Sequence, residues 1–67
     1  MSEAFRARLL AGEELLGTFV KTPHPHVVEV LGSTALDCLV LDAEHAPFDR
    51  AALDLCVLAA RAAGMAV

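Results

Sequence analysis

The residues best suited to chemistry follow directly on the most apolar segment of the chain, residues 38–41. Asp42, Glu44 and His45 bring two carboxylates and an imidazole within four positions. Histidine titrates near neutral pH, so His45 can serve as a general base. In parallel α/β folds, active sites lie in the loops after the carboxyl ends of strands. The sequence therefore predicts a candidate site here, in which Asp42 and Glu44 would share one side if the strand continued.

The same three residues also permit a purely structural interpretation. Asp42 would then cap a turn, Glu44 would be solvated, and His45 would hydrogen-bond to the backbone. Both interpretations stay open from the sequence, although charged residues beside a buried strand are costly unless they have a partner.

Two further groups of residues give weaker signals. His24 and His26 flank a proline, but no cysteine or third histidine follows at metal-ligand spacing, so we expect a helix start and a surface residue instead. Phe19 ends the first apolar run and is expected in the core, with a place at the mouth of the site as the alternative. The glycines form no nucleotide-binding motif.

Composition and charge exclude several classes of protein. The 67 residues are 57% hydrophobic with a net charge of −4, which excludes a disordered chain and disfavours nucleic-acid or anionic-membrane partners. No apolar run is long enough to cross a bilayer, and the N-terminus does not read as a signal peptide. Cys38 and Cys56 lie in apolar segments, so we expect reduced, structural thiols and a cytoplasmic protein. We also expect a piece of something larger, because so short a chain buries little surface.

The apolar pattern predicts helices that alternate with strands. The first predicted element is an amphipathic helix at 2–11, with Ser2 as N-cap and an apolar stripe of Phe5, Leu9 and Leu10. A strand at 15–20, a helix from Pro25 to the stop at Gly32 and a strand at 38–41 follow. The last predicted elements are a helix at 50–63 capped by Asp49 and the start of a strand at 65–67. The continuous apolar character of 38–41 favours a parallel-sheet strand buried on both faces. The order predicts right-handed βαβ units in an α/β fold, with residues 1–67 as a single incomplete domain.

The segments 17–21 and 35–47, which contain Gly-Thr-Phe-Val-Lys and Asp-Cys-Leu-Val-Leu-Asp-Ala-Glu-His-Ala-Pro, resemble the N-terminal part of the HpcH/HpaI aldolase family. Its members include 4-hydroxy-2-oxoheptanedioate and 2-dehydro-3-deoxyglucarate aldolases. The resemblance implies the first quarter of a TIM (β/α)8 barrel of the phosphoenolpyruvate/pyruvate superfamily. It also implies a class II aldolase that reversibly cleaves 4-hydroxy-2-oxo acids to pyruvate, or a relative, and an aldehyde.

The resemblance further assigns roles to individual residues. It makes His45 the catalytic base, places Asp42 and Glu44 around the metal through water, and puts Phe19 near the substrate. A divalent metal (Mg²⁺, Mn²⁺ or Co²⁺) is implied, with its direct protein ligands downstream of this chain and none within it. The 67 residues alone should therefore be inactive, and the full-length protein should form a homo-oligomer, often a hexamer.

Two other interpretations remain open at this point. The chain could be a small non-catalytic βαβ module that binds a partner through an unpaired strand edge. It could also belong to another TIM-barrel lyase or isomerase with a histidine base. An arginine shortly after Val67, followed by a glutamate and an aspartate at later strand ends, would favour the aldolase.

Overall fold

The computed structural model describes residues 3–67, and the predicted N-cap Ser2 lies outside that range. The elements in chain order are α1 (Glu3–Leu10), β1 (Gly17–Val20), α2 (Pro25–Gly32), β2 (Cys38–Leu41) and α3 (Arg50–Ala62). These match the predicted order to within two residues at each boundary. Over the part of the chain described, no helix combines the length and apolarity needed to cross a bilayer.

The two strands are parallel neighbours, as the βαβ pattern predicts. Gly17 pairs with Cys38, and the register continues to Val20 opposite Leu41. The predicted third strand is present only as a parallel bridge between Cys38 and Ala66. The N–H of Leu39 donates to the carbonyl of Ala66 over 2.9 Å. The segment 65–67 thus lies on the far side of β2 from β1, in the position of a third parallel strand.

The core lies between one face of the sheet and the helices α2 and α3, which pack against each other. Val28 of α2 and Cys56 of α3 are fully buried at its centre. Each helix has a suitable N-terminal cap, because His24 accepts from the N–H of His26 and Asp49 accepts from the N–H of Ala52. The remaining buried residues are Val20, Leu39, Ala60, Met65 and Ala66.

The other face of the sheet is open, and here the expectation of a strand buried on both faces is wrong for this chain. Val40 is 47% exposed and Phe19, expected in the core, is 67% exposed. Side chains alternate between the two faces of a strand, so the helices cover only Thr18, Val20, Leu39 and Leu41. Within residues 3–67, nothing packs against the opposite side.

Helix α1 is not amphipathic in the structure, contrary to the predicted apolar stripe. Leu9 and Leu10 are exposed, and none of the residues described in this helix is buried. Polar contacts hold its C-terminal end instead, because Arg8 pairs with Glu13 at 2.8 Å and with Asp37 at 3.0 Å. Within residues 3–67, the hydrophobic core and the residues packed against it include none from α1.

Candidate functional site

The candidate site is the loop that follows β2, between Leu41 and the start of α3. The N–H of Asp42 donates to the carbonyl of Val20 over 3.0 Å, which extends the pairing of β1 and β2 by one bond. The chain then turns away from the sheet. The loop therefore begins at a fixed point on the carboxyl edge, the edge at which parallel α/β folds place their active sites.

The side chain of Asp42 organises the first turn of this loop. Its Oδ1 accepts the N–H groups of Glu44 at 3.2 Å and His45 at 2.9 Å. The aspartate side chain is only 11% exposed. The hydrogen bond donated by the backbone N–H of His45 is the main cause that lowers the pKa of Asp42. Partial burial opposes this lowering, and the charge of the His45 imidazole adds to it. Asp42 is thus an ionised turn cap.

The imidazole of His45 folds back toward the same carboxylate. Its Nδ1 lies 3.4 Å from Oδ2 of Asp42, while 68% of the side chain is exposed. One ring nitrogen therefore faces a carboxylate, and most of the imidazole surface is exposed. A general base needs a positioned ring with an accessible nitrogen.

The structure brings the side chains of Asp42 and His45 together, whereas Glu44 meets Asp42 through its backbone. The predicted sharing of one strand side by Asp42 and Glu44 does not occur, because the strand ends at Leu41 and the chain turns. Glu44 is exposed and contributes its backbone N–H to the turn. The turn-cap interpretation of Asp42 is therefore confirmed, and it coexists with the oriented imidazole.

The far end of the loop is also anchored. Oδ1 of Asp49 accepts the N–H of Ala52 over 2.7 Å at the start of α3, and Phe48 packs against the core. The N–H of Phe48 donates to the carbonyl of Ala46 over 2.8 Å. The loop is consequently held by a carboxylate cap at each end, which limits how far His45 can move.

The histidine pair at the start of α2 has the structural role that the sequence favoured. Nδ1 of His24 accepts the N–H of His26 over 3.2 Å, and the two ring centroids are 4.7 Å apart. Pro25 occupies the first turn of the helix. His24 is therefore a helix cap, and the expectation of a helix start is confirmed.

The donor set in this chain does not fit a directly bound metal ion. Over residues 3–67, no group of three or more histidine, cysteine, aspartate or glutamate side chains could hold a cation. In the candidate loop, one oxygen of Asp42 is already occupied by two backbone donors. The side chains described in residues 3–67 therefore form no cation site of three or more such ligands.

Asp37 is a carboxylate with two partners that the sequence did not indicate. It lies at the end of the sheet opposite to the candidate loop. Its Oδ2 accepts the N–H of Leu16 over 2.9 Å, and its Oδ1 pairs with Arg8. The bond from Leu16 is the main cause that lowers its pKa, burial opposes this, and Arg8 adds to the lowering. The partners lie 21 and 29 positions away, so no local pattern could have indicated them.

Comparison with known proteins gives relatives in both sequence and structure. No family model matches the chain. It is 40% identical over 48 residues to a hydroxypyruvate/pyruvate aldolase of Roseovarius nubinhibens and 47% identical over 45 residues to a 5-keto-4-deoxy-D-glucarate aldolase of Klebsiella pneumoniae subsp. pneumoniae. These matches cover 72% and 67% of this chain but only 19% and 18% of the relatives.

The structural comparison covers more of the chain. The crystal structure of the citrate synthase SbnG superposes with a TM-score of 0.84 and 32% identity over 90% of this chain and 24% of that chain. A variant of the same protein matches equally well, with 31% identity over 91% of this chain. The 67 residues therefore span about a quarter of these structural relatives.

Proposed function

We propose that this chain, which belongs to the HpcH/HpaI aldolase family over the segment that it matches, supplies the acid–base histidine of a carbon–carbon lyase. Its fold is the α/β arrangement that opens a TIM barrel of that family. The matched relatives are longer, so the activity proposed here is that of a full-length protein in which these residues form the first quarter.

The reaction proposed is the reversible cleavage of a 4-hydroxy-2-oxo acid to pyruvate, or a near relative, and an aldehyde. Two curated relatives that carry aldolase names support it. The single observation that carries the proposal is the pairing of His45 with Asp42 at the carboxyl edge of the sheet, in which most of the imidazole stays exposed. The non-catalytic module has no comparable support, since it does not explain this arrangement.

In this proposal His45 moves one proton. Its Nε2 takes the proton of the 4-hydroxyl group, and the oxygen electrons form the carbonyl of the departing aldehyde. The bond between C3 and C4 breaks, and its electron pair remains with the 2-oxo acid portion, which becomes pyruvate when C3 is protonated. Asp42 holds the imidazole in place, and Phe19 lies on the sheet face that the barrel fold turns inward.

The remaining properties of the full-length protein are also part of the proposal. A divalent metal, Mg²⁺, Mn²⁺ or Co²⁺, would supply electrostatic stabilisation of the developing negative charge, with direct ligands outside these 67 residues. Glu44, exposed in the candidate loop, suits a place in the surrounding water shell. We further propose a cytoplasmic homo-oligomer, with a hexamer as the expected form.

A second candidate function follows from the structural neighbour named citrate synthase. That name describes formation rather than cleavage of a carbon–carbon bond, with a ketone rather than an aldehyde as the electrophile. The experiment is an assay of the full-length protein with Mg²⁺ or Mn²⁺, which compares pyruvate release from 4-hydroxy-2-oxo acids with citrate formation from acetyl-CoA and oxaloacetate. Pyruvate release alone supports the aldolase, and citrate formation alone replaces it.

A further inference from the structure

We propose that the outer groove between α2 and α3 is a contact surface between two copies of this chain in the full-length protein. The outer groove lies between Glu29 of α2 and the side chains of Leu55 and Leu58 of α3. The inference rests on the homo-oligomer of the proposed function, for which it names the surface. It does not depend on the aldol reaction.

The outer groove lies on the side of the helix pair that faces away from the sheet. Val28 of α2 and Cys56 of α3 are fully buried in the core. Leu58 follows Cys56 by two positions, which is about 200° around an α-helix, and 65% of it is exposed. Leu55 is 52% exposed. The outer groove is therefore a surface distinct from both the core and the open sheet face.

The outer groove combines a ridge with a hollow. The two exposed leucines form the ridge on α3, and small residues line the hollow at Gly32, Ala59 and Ala63. Its volume is about 590 Å³. A two-fold contact uses the same patch on both subunits, so the patch has to be complementary to itself. The outer groove meets this requirement, because the leucines of each copy can enter the hollow of the other.

The rest of a barrel does not cover the outer groove. In a (β/α)8 barrel the helices form an outer ring around the strands. Here α2 and α3 are already neighbours in such a ring, and the segment 65–67 lies on the far side of β2 from β1. The later units of the full-length protein therefore follow around the ring beyond α3. They leave the outer side of the α2–α3 pair free.

The length of the relatives leaves little chain for a separate cover. The 48 residues matched in one curated relative are 19% of it, and the 45 matched in the other are 18%. Both relatives are thus about 250 residues long, which is the typical length of one such barrel. The eight units use up a chain of this length. We therefore assign the outer groove to a second copy rather than to a tail of the same chain.

The test is sedimentation velocity of the full-length protein and its variant Leu58→Glu. Leu58 is exposed within the subunit, so glutamate there should leave the fold intact, whereas a contact between copies would bury the charge. The matched control is Arg61→Glu, which reverses an exposed charge on the same helix but does not line the groove. We expect Leu58→Glu to reduce the mass of the assembly by at least about half, and Arg61→Glu to keep the wild-type mass.

The mass and the fold of each variant decide the inference, with the fold checked by circular dichroism. Loss of assembly in a folded Leu58→Glu alone supports it. A monomeric wild type, a folded Leu58→Glu of wild-type mass, or equal dissociation of both variants would overturn it. If Leu58→Glu does not fold, Leu58→Ser replaces it under the same criteria. If neither folds, Leu58 is needed inside the subunit and the inference is wrong.

The aldol-cleavage assay separates this inference from the proposed reaction. A wild type that assembles through the outer groove but cleaves no 4-hydroxy-2-oxo acid would contradict the proposed reaction and leave the contact surface in place. A wild type that cleaves the substrate as a monomer would do the reverse.

Discussion

Phe19 lies directly opposite Val40 in the parallel register of β1 and β2, on the sheet face that neither α2 nor α3 covers. Both side chains are large, apolar and exposed. In a closed barrel the corresponding face is a packed interior filled by side chains of several strands. In this chain the same face exposes the apolar side chains of Phe19 and Val40.

The 67-residue chain on its own is expected to be molten or self-associated rather than a stable monomer. Its open apolar face and unpaired strand edges give it surfaces that bind one another. Sedimentation velocity should show association that Phe19→Lys reduces, because a charge opposite Val40 disfavours burial of that face. A cooperative, monomeric unfolding transition of several kcal/mol in the wild-type 67-mer would contradict this expectation.

The close packing of α2 on α3 depends on Gly32. A Cβ at this position would lie 2.5 Å from the Cβ of Ala63, which is not an allowed separation. Alanine normally stabilises a helix relative to glycine by about 1 kcal/mol. We nevertheless expect Gly32→Ala to lower the free energy of unfolding of the full-length protein by about 1–3 kcal/mol, because overpacking dominates.

The matched control for this contact is the double variant Gly32→Ala with Ala63→Gly. It removes the opposing Cβ, so it should recover most of the loss in chemical denaturation. A Gly32→Ala protein as stable as the wild type, or a double variant less stable than both single variants, would show that the helices do not meet at this point.

The two cysteines should differ in reactivity and in their effect on stability. Cys56 is fully buried and burial raises the pKa of its thiol, whereas Cys38 is half-buried on the open sheet face. Cys56→Ser should cost about 1–3 kcal/mol, because it buries a hydroxyl in an apolar site. Thiol titration of the native protein should leave Cys56 unmodified until unfolding. Rapid labelling of Cys56, or a Cys38–Cys56 disulfide found by mass spectrometry, would contradict the assigned positions.

Asp37 should make stability depend on acid pH. Its pKa is lower in the folded chain than the ordinary value of 3.8. Because the pKa of Asp37 is lower in the folded than in the unfolded chain, its ionised form stabilises the fold at pH values above the unfolded-state pKa. This contribution is lost as the pH falls from the unfolded-state pKa to the folded-state pKa. Asp37→Asn should therefore lower the thermal midpoint at pH 7 and have a smaller effect near pH 3. An equal effect at both pH values would show that the contacts with Leu16 and Arg8 are not charge-dependent.

The central elements were predictable because their signals are local. Three of these predictions depend only on neighbouring residues, and the structure confirms each of them. They are the strand Cys38–Leu41, the helix cap Asp49 and the end of the helix Pro25–Gly32. The exposed faces of α1 and of Phe19 were not predictable. Their apolar residues indicate burial, but the surfaces that would bury them are not among residues 3–67.

The candidate site was predictable in composition but not in geometry. The spacing of Asp42, Glu44 and His45 indicated a loop with acid–base residues, and the turn cap was one of two open interpretations. Which carboxylate faces the imidazole depends on backbone dihedrals in the turn. The spacing of residues along the sequence does not specify those dihedrals.

The measurement that tests the account most directly is aldol cleavage by the full-length protein and its His45→Ala variant. With a 4-hydroxy-2-oxo acid and Mg²⁺ or Mn²⁺, the wild type should release pyruvate, and His45→Ala should cut the rate by about 10²-fold or more, because it removes the general base. Metal binding by the variant, measured calorimetrically, serves as the control. A loss of less than about tenfold with metal still bound, or no pyruvate release by the wild type, would contradict the account.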